Sequence, residues 1–354
     1  MIIQKLLISK ETVIRKLPKN YKQDDYKFFA GEIKKKLSDC FLYQIDNVKI
    51  YHDGSLSKFN LPIIKNYLGF KSISSLKIPK KIFLLFKYLI KIFYLNFIVF
   101  NKNKKVTKLD KIIIMYDRNS QGYFHWINDI LPKLLILEKK RELRHHIVII
   151  PYTFKQKFIR DSLKFFNLKV MFINKDQIIL SKKCLYLGDI SESGNPRPRF
   201  INQLRKKFKD DQQFKIKGYE KYDKVYVSRR YSRRNLINEK NFEKYLKSKN
   251  FQICYMEKIS FIEQVRILNN CQILIGPYGA GLINCFWLNK KSTLIDIRPN
   301  NDFFSNCFFS AASALNLNYY YILSKKKKLL STTKTSSYYL SIKNFNNEFL
   351  SIIK

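Results

Sequence analysis

Three groups of residues in this 354-residue chain have the types and spacing to do chemistry. The first is the run from Phe124 to Pro132, FHWINDILP. On a helix, His125 and Asp129 stand at i and i+4, on one face and close enough to pair. Either could take a proton from a hydroxyl group, or the two could form a plain structural hydrogen bond. The second group is Ser228-Arg229-Arg230 followed by Arg233-Arg234. A guanidinium fork holds phosphate through two parallel bonds, although a solvated basic loop would use the same residues. The third is GPYGAG, residues 276–281. The chain has only 10 glycines, and Gly276, Gly279 and Gly281 fall within six positions. Glycine lets backbone approach a ligand closely, and the free amides at a helix start bind phosphate. The spacing is G-x-x-G-x-G, not the G-x-G-x-x-G of dinucleotide folds, and a plain strand-to-helix turn would look similar. Asp296, at the end of the next strand, could bind ribose hydroxyls or simply be a solvated strand-end acid.

Metal chemistry is not expected. No D-x-D, D-x-E or E-x-D triplet occurs, and His52, His145 and His146 lack zinc spacing with cysteine. A leaving diphosphate would then be neutralised by arginines and a helix N-terminus. The six cysteines form no C-x-x-C pair and lie mostly in apolar stretches, which suits buried free thiols in a reducing compartment.

The elements that must position these groups are legible from residue 111 onward. Residues 111–116 read as a strand, 125–140 as a helix that Pro132 can kink, 146–151 as a strand, 154–166 as a helix and 169–173 as a strand. Such alternation predicts a parallel sheet. Residues 191–199 (SESGNPRPR) and 209–218 are punctuation, and a boundary is expected near 215–221. The alternation restarts with strands at 224–227, 251–255, 271–275, 293–297 and 319–323. Helices are expected at 238–248, 260–269, 280–288 and 303–315. The fold class is therefore α/β, in two units of 111–215 and 216–323 with a cleft between them. Residues 1–110 resist division, and 324–354 form a tail opening on a lysine run.

Composition bounds the rest. Hydrophobic residues make up 46% and charged residues 27%, which excludes general disorder. Lys plus Arg minus Asp plus Glu is 68 − 27 = +41. Such a field attracts polyanions, anionic lipid and phosphorylated small molecules, but A/T-rich codons would also spread lysines with no partner in view. Residues 82–100 approach the length of a bilayer span, yet Lys87 and Lys91 interrupt them at about 2.5–3.5 kcal/mol each in hydrocarbon. A basic amphipathic helix on an anionic membrane and a core helix are the better readings. Residues 1–18 lack a signal-type apolar core, so the chain is expected in the cytoplasm, with the option of peripheral contact at the inner membrane face.

Taken together, the motifs resemble glycosyltransferase family 61. The resemblance rests on YFHWINDILPKLLILEK, SRRYSRRNLINE, SFIEQVRILNNCQILIGPYGAGLINCFW and STLIDIRP, in that order, and covers about residues 111–323. It implies a GT-B-like architecture of two Rossmann-like domains facing across a cleft, and an inverting transfer that needs no metal or other cofactor. A nucleotide-sugar, most often a UDP-sugar, would bind the second domain, and a glycan or lipid-linked acceptor the first, in bacterial capsule or surface-polysaccharide assembly. By position, Asp129 is the implied base with His125 beside it. Arg229, Arg230 and Arg234 would hold the diphosphate. Gly276, Gly279 and Gly281 would line the phosphates with Asn284 behind, and Glu263 and Gln264 would face the donor. Two departures stand out: Tyr278 replaces a common His, and Asp296 replaces a common Glu. A nucleotide-cofactor dehydrogenase, or a basic nucleic-acid or membrane binder without catalysis, is the competing reading. Specific nucleic-acid binding is not expected.

Overall fold

In the computed structural model the described residues are 2–59, 61–63, 104–211, 222–232, 234–300, 305–326 and 337–353, with 86, 89, 90, 92 and 93. The boundary region 215–221, Arg233, and most of the 82–100 stretch lie outside them.

The first sheet has eight strands: β1 (Ile2–Ile8), β4 (Cys40–Tyr51), β5 (Leu56–Lys58), β6 (Leu61–Ile63), β7 (Lys105–Ile114), β8 (Ile147–Ile150), β9 (Val170–Phe172) and β10 (Gln177–Leu187). Its order is β6-β5-β4-β10-β7-β8-β9, with β1 also on β4. The block β10-β7-β8-β9 is parallel, while β4 runs antiparallel to β10 from Tyr51↔Ile178 to Leu42↔Leu187. Residues on both sides of position 110 thus share one sheet, since β7 itself crosses that position. β2 (Glu11–Ile14) and β3 (Lys34–Leu37) form a small separate ribbon.

The second sheet comprises β11 (Lys224–Val227), β12 (Gln252–Cys254), β13 (Ile273–Pro277), β14 (Thr293–Pro299), β15 (Asn318–Lys326) and β16 (Tyr338–Tyr339). Its order is β12-β11-β13-β14-β15-β16, parallel except for the last strand. Numbered from β11, the parallel part reads 2-1-3-4-5, a doubly wound order whose direction of winding reverses between β11 and β13. In the first sheet the reversal falls between β7 and β10. At such reversals adjacent strands send their connections to opposite faces, which opens a crevice beyond their carboxyl ends.

Runs such as Ile112, Ile113 and Ile114 are buried because helices cover both faces of a parallel strand. Helix Ile342–Ile353 in the tail packs Phe345, Phe349 and Ile353 into the core of the second sheet, against Tyr226 and Phe242. All six cysteines are free and buried. Among the described residues, no helix is long and apolar enough to cross a membrane.

Several boundaries differ from the sequence reading. β7 starts six residues earlier than expected, and helix Lys157–Leu163 is shorter than 154–166. Residues 280–287 form a 3-10 run rather than an α-helix. There the Asn284 side chain donates to the Gly281 carbonyl at 3.0 Å, and Leu282 N bonds Gly279 O at 3.0 Å, three residues back.

Candidate functional site

The His–Asp group lies in a helical stretch with an unusual middle. Tyr123–His125 is α-helical, Trp126–Ile130 is a π turn, and Leu131–Lys139 is α-helical again. Pro132 has no N–H to return to the carbonyl four residues back, so the wide turn costs less here than in an ordinary helix. Trp126 anchors the turn, donating Nε1–H to Ser162 Oγ at 2.8 Å. Across the turn His125 Nδ1 meets Asp129 Oδ2 at 2.9 Å. Asp129 also accepts from Asn128 Nδ2 at 2.6 Å and from Ser193 Oγ at 2.8 Å. The bond to Asp129 raises the His125 pKa above its ordinary value, burial opposes this, and the charges of Asp129 and Asp117 add to the rise.

These residues wall a small polar cavity of about 70 Å³ together with Asp117, Lys133, Asp189 and Arg197. It sits where β7 and β10 end, at the reversal point of the first sheet. Lys133 is buried and ties both strand ends together, donating to Met115 O at 3.0 Å and to Asp189 Oδ1 at 2.7 Å. The loop after β10 was read from sequence as mere punctuation. It places Ser193 on the His–Asp pair because Gly194 turns the chain at φ +85°, and a Cβ there would come within 3.0 Å of Cys307 Cβ.

A second, larger cavity of about 750 Å³ opens at the reversal point of the second sheet, beyond the carboxyl ends of β11 and β13. Ser228, Arg229, Ala280 and Gly281 line one wall, and the 256–264 segment, including Glu263 and Gln264, lines another. Tyr123, Lys157 and Phe158 close it from the first unit. Arg229 is held flat against backbone, with Nη1 donating to Tyr278 O at 3.0 Å and Nε to Arg234 O at 2.9 Å. Two of its five donors are so used and three remain among the described residues. Burial lowers its pKa from the usual value, yet a guanidinium stays charged at any working pH. Gly279 is required here: a Cβ on it would lie 1.0 Å from Arg229 Nη1.

Asn284 links the two units. It is fully buried, with Oδ1 accepting from Tyr123 OH at 2.7 Å and from Trp287 Nε1 at 3.1 Å. Its Nδ2 donates to Gln264 Oε1 at 2.9 Å. Gln264 in turn donates to the carbonyls of Met256 at 2.9 Å and Ile259 at 3.0 Å, and so fixes the wall of the larger cavity.

The structure separates some residues that the sequence groups. Arg230 does not line the cavity; its Nη1 lies 3.4 Å from Glu243 Oε2. Arg234 lies with its guanidinium 5.9 Å from the Tyr278 ring centre. Tyr278 points its hydroxyl at Ser305 and Cys307, and Gly276 packs beneath Leu282 and Val227. Asp296, inside β14, is buried, accepts from Tyr319 OH at 2.9 Å and does not line the cavity as a ribose ligand would. Ser193, Lys133 and Asp189 are the residues that sequence reasoning missed. The one available signal was the Gly-Asn-Pro turn following Ser193. Among the described residues no group of three or more His, Cys, Asp or Glu converges on a metal position.

Residues 123–295 match the family model described as Glycosyltransferase 61. No curated protein matches the chain.

Proposed function

From the premise that residues 123–295 belong to glycosyltransferase family 61, we propose that the protein moves a sugar from a nucleotide-sugar, of the UDP type, to a glycan or lipid-linked hydroxyl. The observation that carries this reading is the pair of cavities at the two reversal points, one holding an arginine and glycine-backed loop and the other a His–Asp pair. We place the donor diphosphate in the larger cavity, on the free donors of Arg229 and the backbone near Gly281. The acceptor hydroxyl belongs in the smaller cavity, where the His125–Asp129 pair takes its proton. Attack from the side opposite the diphosphate inverts the anomeric carbon. We read the two units as a GT-B arrangement, in which arginine in place of a metal neutralises the leaving group. Surface-polysaccharide assembly is the biological setting that this chemistry suits.

The test is calorimetric titration of UDP, GDP, ADP and CMP, with chelator, at near-physiological salt. Selective binding of one nucleotide that Arg229→Ala abolishes supports the donor site. Equal weak binding of all four, removed by salt, would assign the net charge to unspecific attraction and sink the reading.

A contact with anionic membrane fits alongside this function. Phe86, Leu89, Ile90 and Phe93 are all exposed, at the i, i+3, i+4, i+7 spacing of one helix face. Sedimentation with phosphatidylglycerol vesicles, but not with phosphatidylcholine vesicles, and its loss in Phe86→Glu/Phe93→Glu, is the expected result. Equal recovery with both vesicle types would refute the contact.

A further inference from the structure

Building on the transfer reading, we propose that His125, through Nε2, is the group that takes the acceptor proton, and that Asp129 and Ser193 are positioning residues for it. The geometry around the carboxylate carries the assignment. An ionised carboxylate offers about four lone-pair sites. In Asp129, three receive donors: His125 Nδ1 at 2.9 Å and Ser193 Oγ at 2.8 Å on Oδ2, and Asn128 Nδ2 at 2.6 Å on Oδ1. So engaged, the carboxylate keeps only one lone-pair site for an incoming acceptor hydroxyl. The imidazole is arranged the opposite way. Nδ1 faces the carboxylate, which fixes its proton there and leaves the Nε2 lone pair outward. Among the described residues no side chain or backbone group bonds Nε2, and 34% of the side chain is open to solvent.

Ser193 is held there by a built loop. Lys133 clamps Asp189 at its start, and buried Arg197 at its end donates to Ile190 O at 2.7 Å, Ser9 O at 2.9 Å and Ser38 O. The charged groups around the imidazole are Asp129 on its own helical stretch, Asp117 on the preceding turn, Lys133 on the following helix, and Asp189 and Arg197 on the loop. Lys133 is paired with Asp189, and Arg197 with Glu11 at 3.2 Å, while the charges of Asp129 and Asp117 act on His125 itself. That field favours the imidazolium which the reaction would form.

In the step, the acceptor O–H bond breaks and its proton passes to Nε2. The acceptor oxygen bonds the anomeric carbon. The carbon–oxygen bond to the diphosphate breaks, and its electron pair leaves with the nucleoside diphosphate. The imidazolium keeps Nδ1–H on Asp129 and later releases the Nε2 proton to water.

The experiment combines two readouts on the full chain. The first is ¹⁵N NMR titration of histidine-labelled protein, with the His125 signals identified by their absence in His125→Gln. The expected result is a neutral form protonated on Nδ1, with a pKa above the ordinary imidazole value that falls in Asp129→Ala. The second is the pH profile of turnover. His125→Gln should lose about 10²–10⁴-fold in kcat and lose the acidic limb. Asp129→Ala should keep that limb, moved to lower pH. Ser193→Ala should lower kcat several-fold at unchanged KM, with Ser193→Thr restoring it. A neutral wild type protonated on Nε2, or an acidic limb that survives in His125→Gln and vanishes in Asp129→Ala, overturns the assignment. The tautomer is read without turnover. Failure of every nucleotide-sugar to react would therefore sink the transfer reading while the NMR result still decides the role of His125.

Discussion

Gly279→Ala is the sharpest test of the proposed donor site, because the three atoms nearest the added Cβ all belong to Arg229. The added Cβ would lie 1.0 Å from Nη1, 2.2 Å from Cζ and 2.9 Å from Nε of Arg229. Ordinary contact begins near 3.4 Å, so Nη1 must retreat by about 2.4 Å (3.4 − 1.0). That movement breaks the bonds to Tyr278 O at 3.0 Å and Arg234 O at 2.9 Å, which aim the guanidinium. The backbone itself is untroubled: φ at Gly279 is 167°, an extended value open to alanine. A hydrogen bond from a charged donor contributes roughly 1.5–3 kcal/mol, so losing one arginine contact to a diphosphate weakens binding by roughly 10- to 150-fold. The assay is calorimetric titration of UDP into wild type, Gly279→Ala, Arg229→Ala and the double variant. If the glycine works through the arginine, each single variant weakens binding alike and the double variant is no weaker. Wild-type affinity in Gly279→Ala, or losses that add in the double variant, would refute the reasoning.

Three further outcomes follow from the same geometry. Asn284→Ala leaves Tyr123 OH, Trp287 Nε1, Gln264 Oε1 and the Gly281 carbonyl short of a buried partner. The expected loss is about 3–5 kcal/mol in urea unfolding, together with weaker donor binding. Arg230→Ala should leave diphosphate affinity unchanged in calorimetry, since that side chain faces Glu243 and not the cavity. The raised pKa of His125 predicts extra stability that is fully present below about pH 6.5, the unfolded value, and is lost as pH rises through the folded value. The pH dependence of the urea midpoint in His125→Gln should lack this component.

The parallel sheets were legible because their strands are continuous apolar runs, as in KIIIMY and CQILI. The strands that frame the first sheet were not. β10 carries Ser181, Lys182 and Lys183 in its middle, and β4 carries Gln44, Asp46 and Asn47, so neither reads as a buried run. Their pairing with each other, from Tyr51↔Ile178 to Leu42↔Leu187, is a long-range fact that no local pattern encodes. The site divides in the same way. His125 and Asp129 could be paired from an i, i+4 spacing. Ser193 lies 64 residues from Asp129 and joins it only through the fold. Asp296 and Arg230 lie away from the cavity for the converse reason: each has a suitable residue type within or just after a strand, but a side chain's direction depends on neighbours. Tyr319 draws Asp296 inward and Glu243 draws Arg230 aside.

The link through Asn284 bears on how two cavities could serve one reaction. Tyr123 lines the larger cavity and lies two residues before His125, which lines the smaller one. Its hydroxyl is fixed by Asn284, whose other arm fixes Gln264 and through it the carbonyls of Met256 and Ile259. A shift in the wall of the donor cavity must therefore either carry Tyr123 along or break a buried hydrogen bond. Tyr123→Phe removes that choice, leaving the ring packed on Phe158, its centre 5.0 Å away, but the tether cut. If the tether matters to transfer, the variant keeps UDP affinity and loses turnover, because the acceptor side no longer follows the donor side. Equal losses in both would make Tyr123 an ordinary wall of the donor cavity.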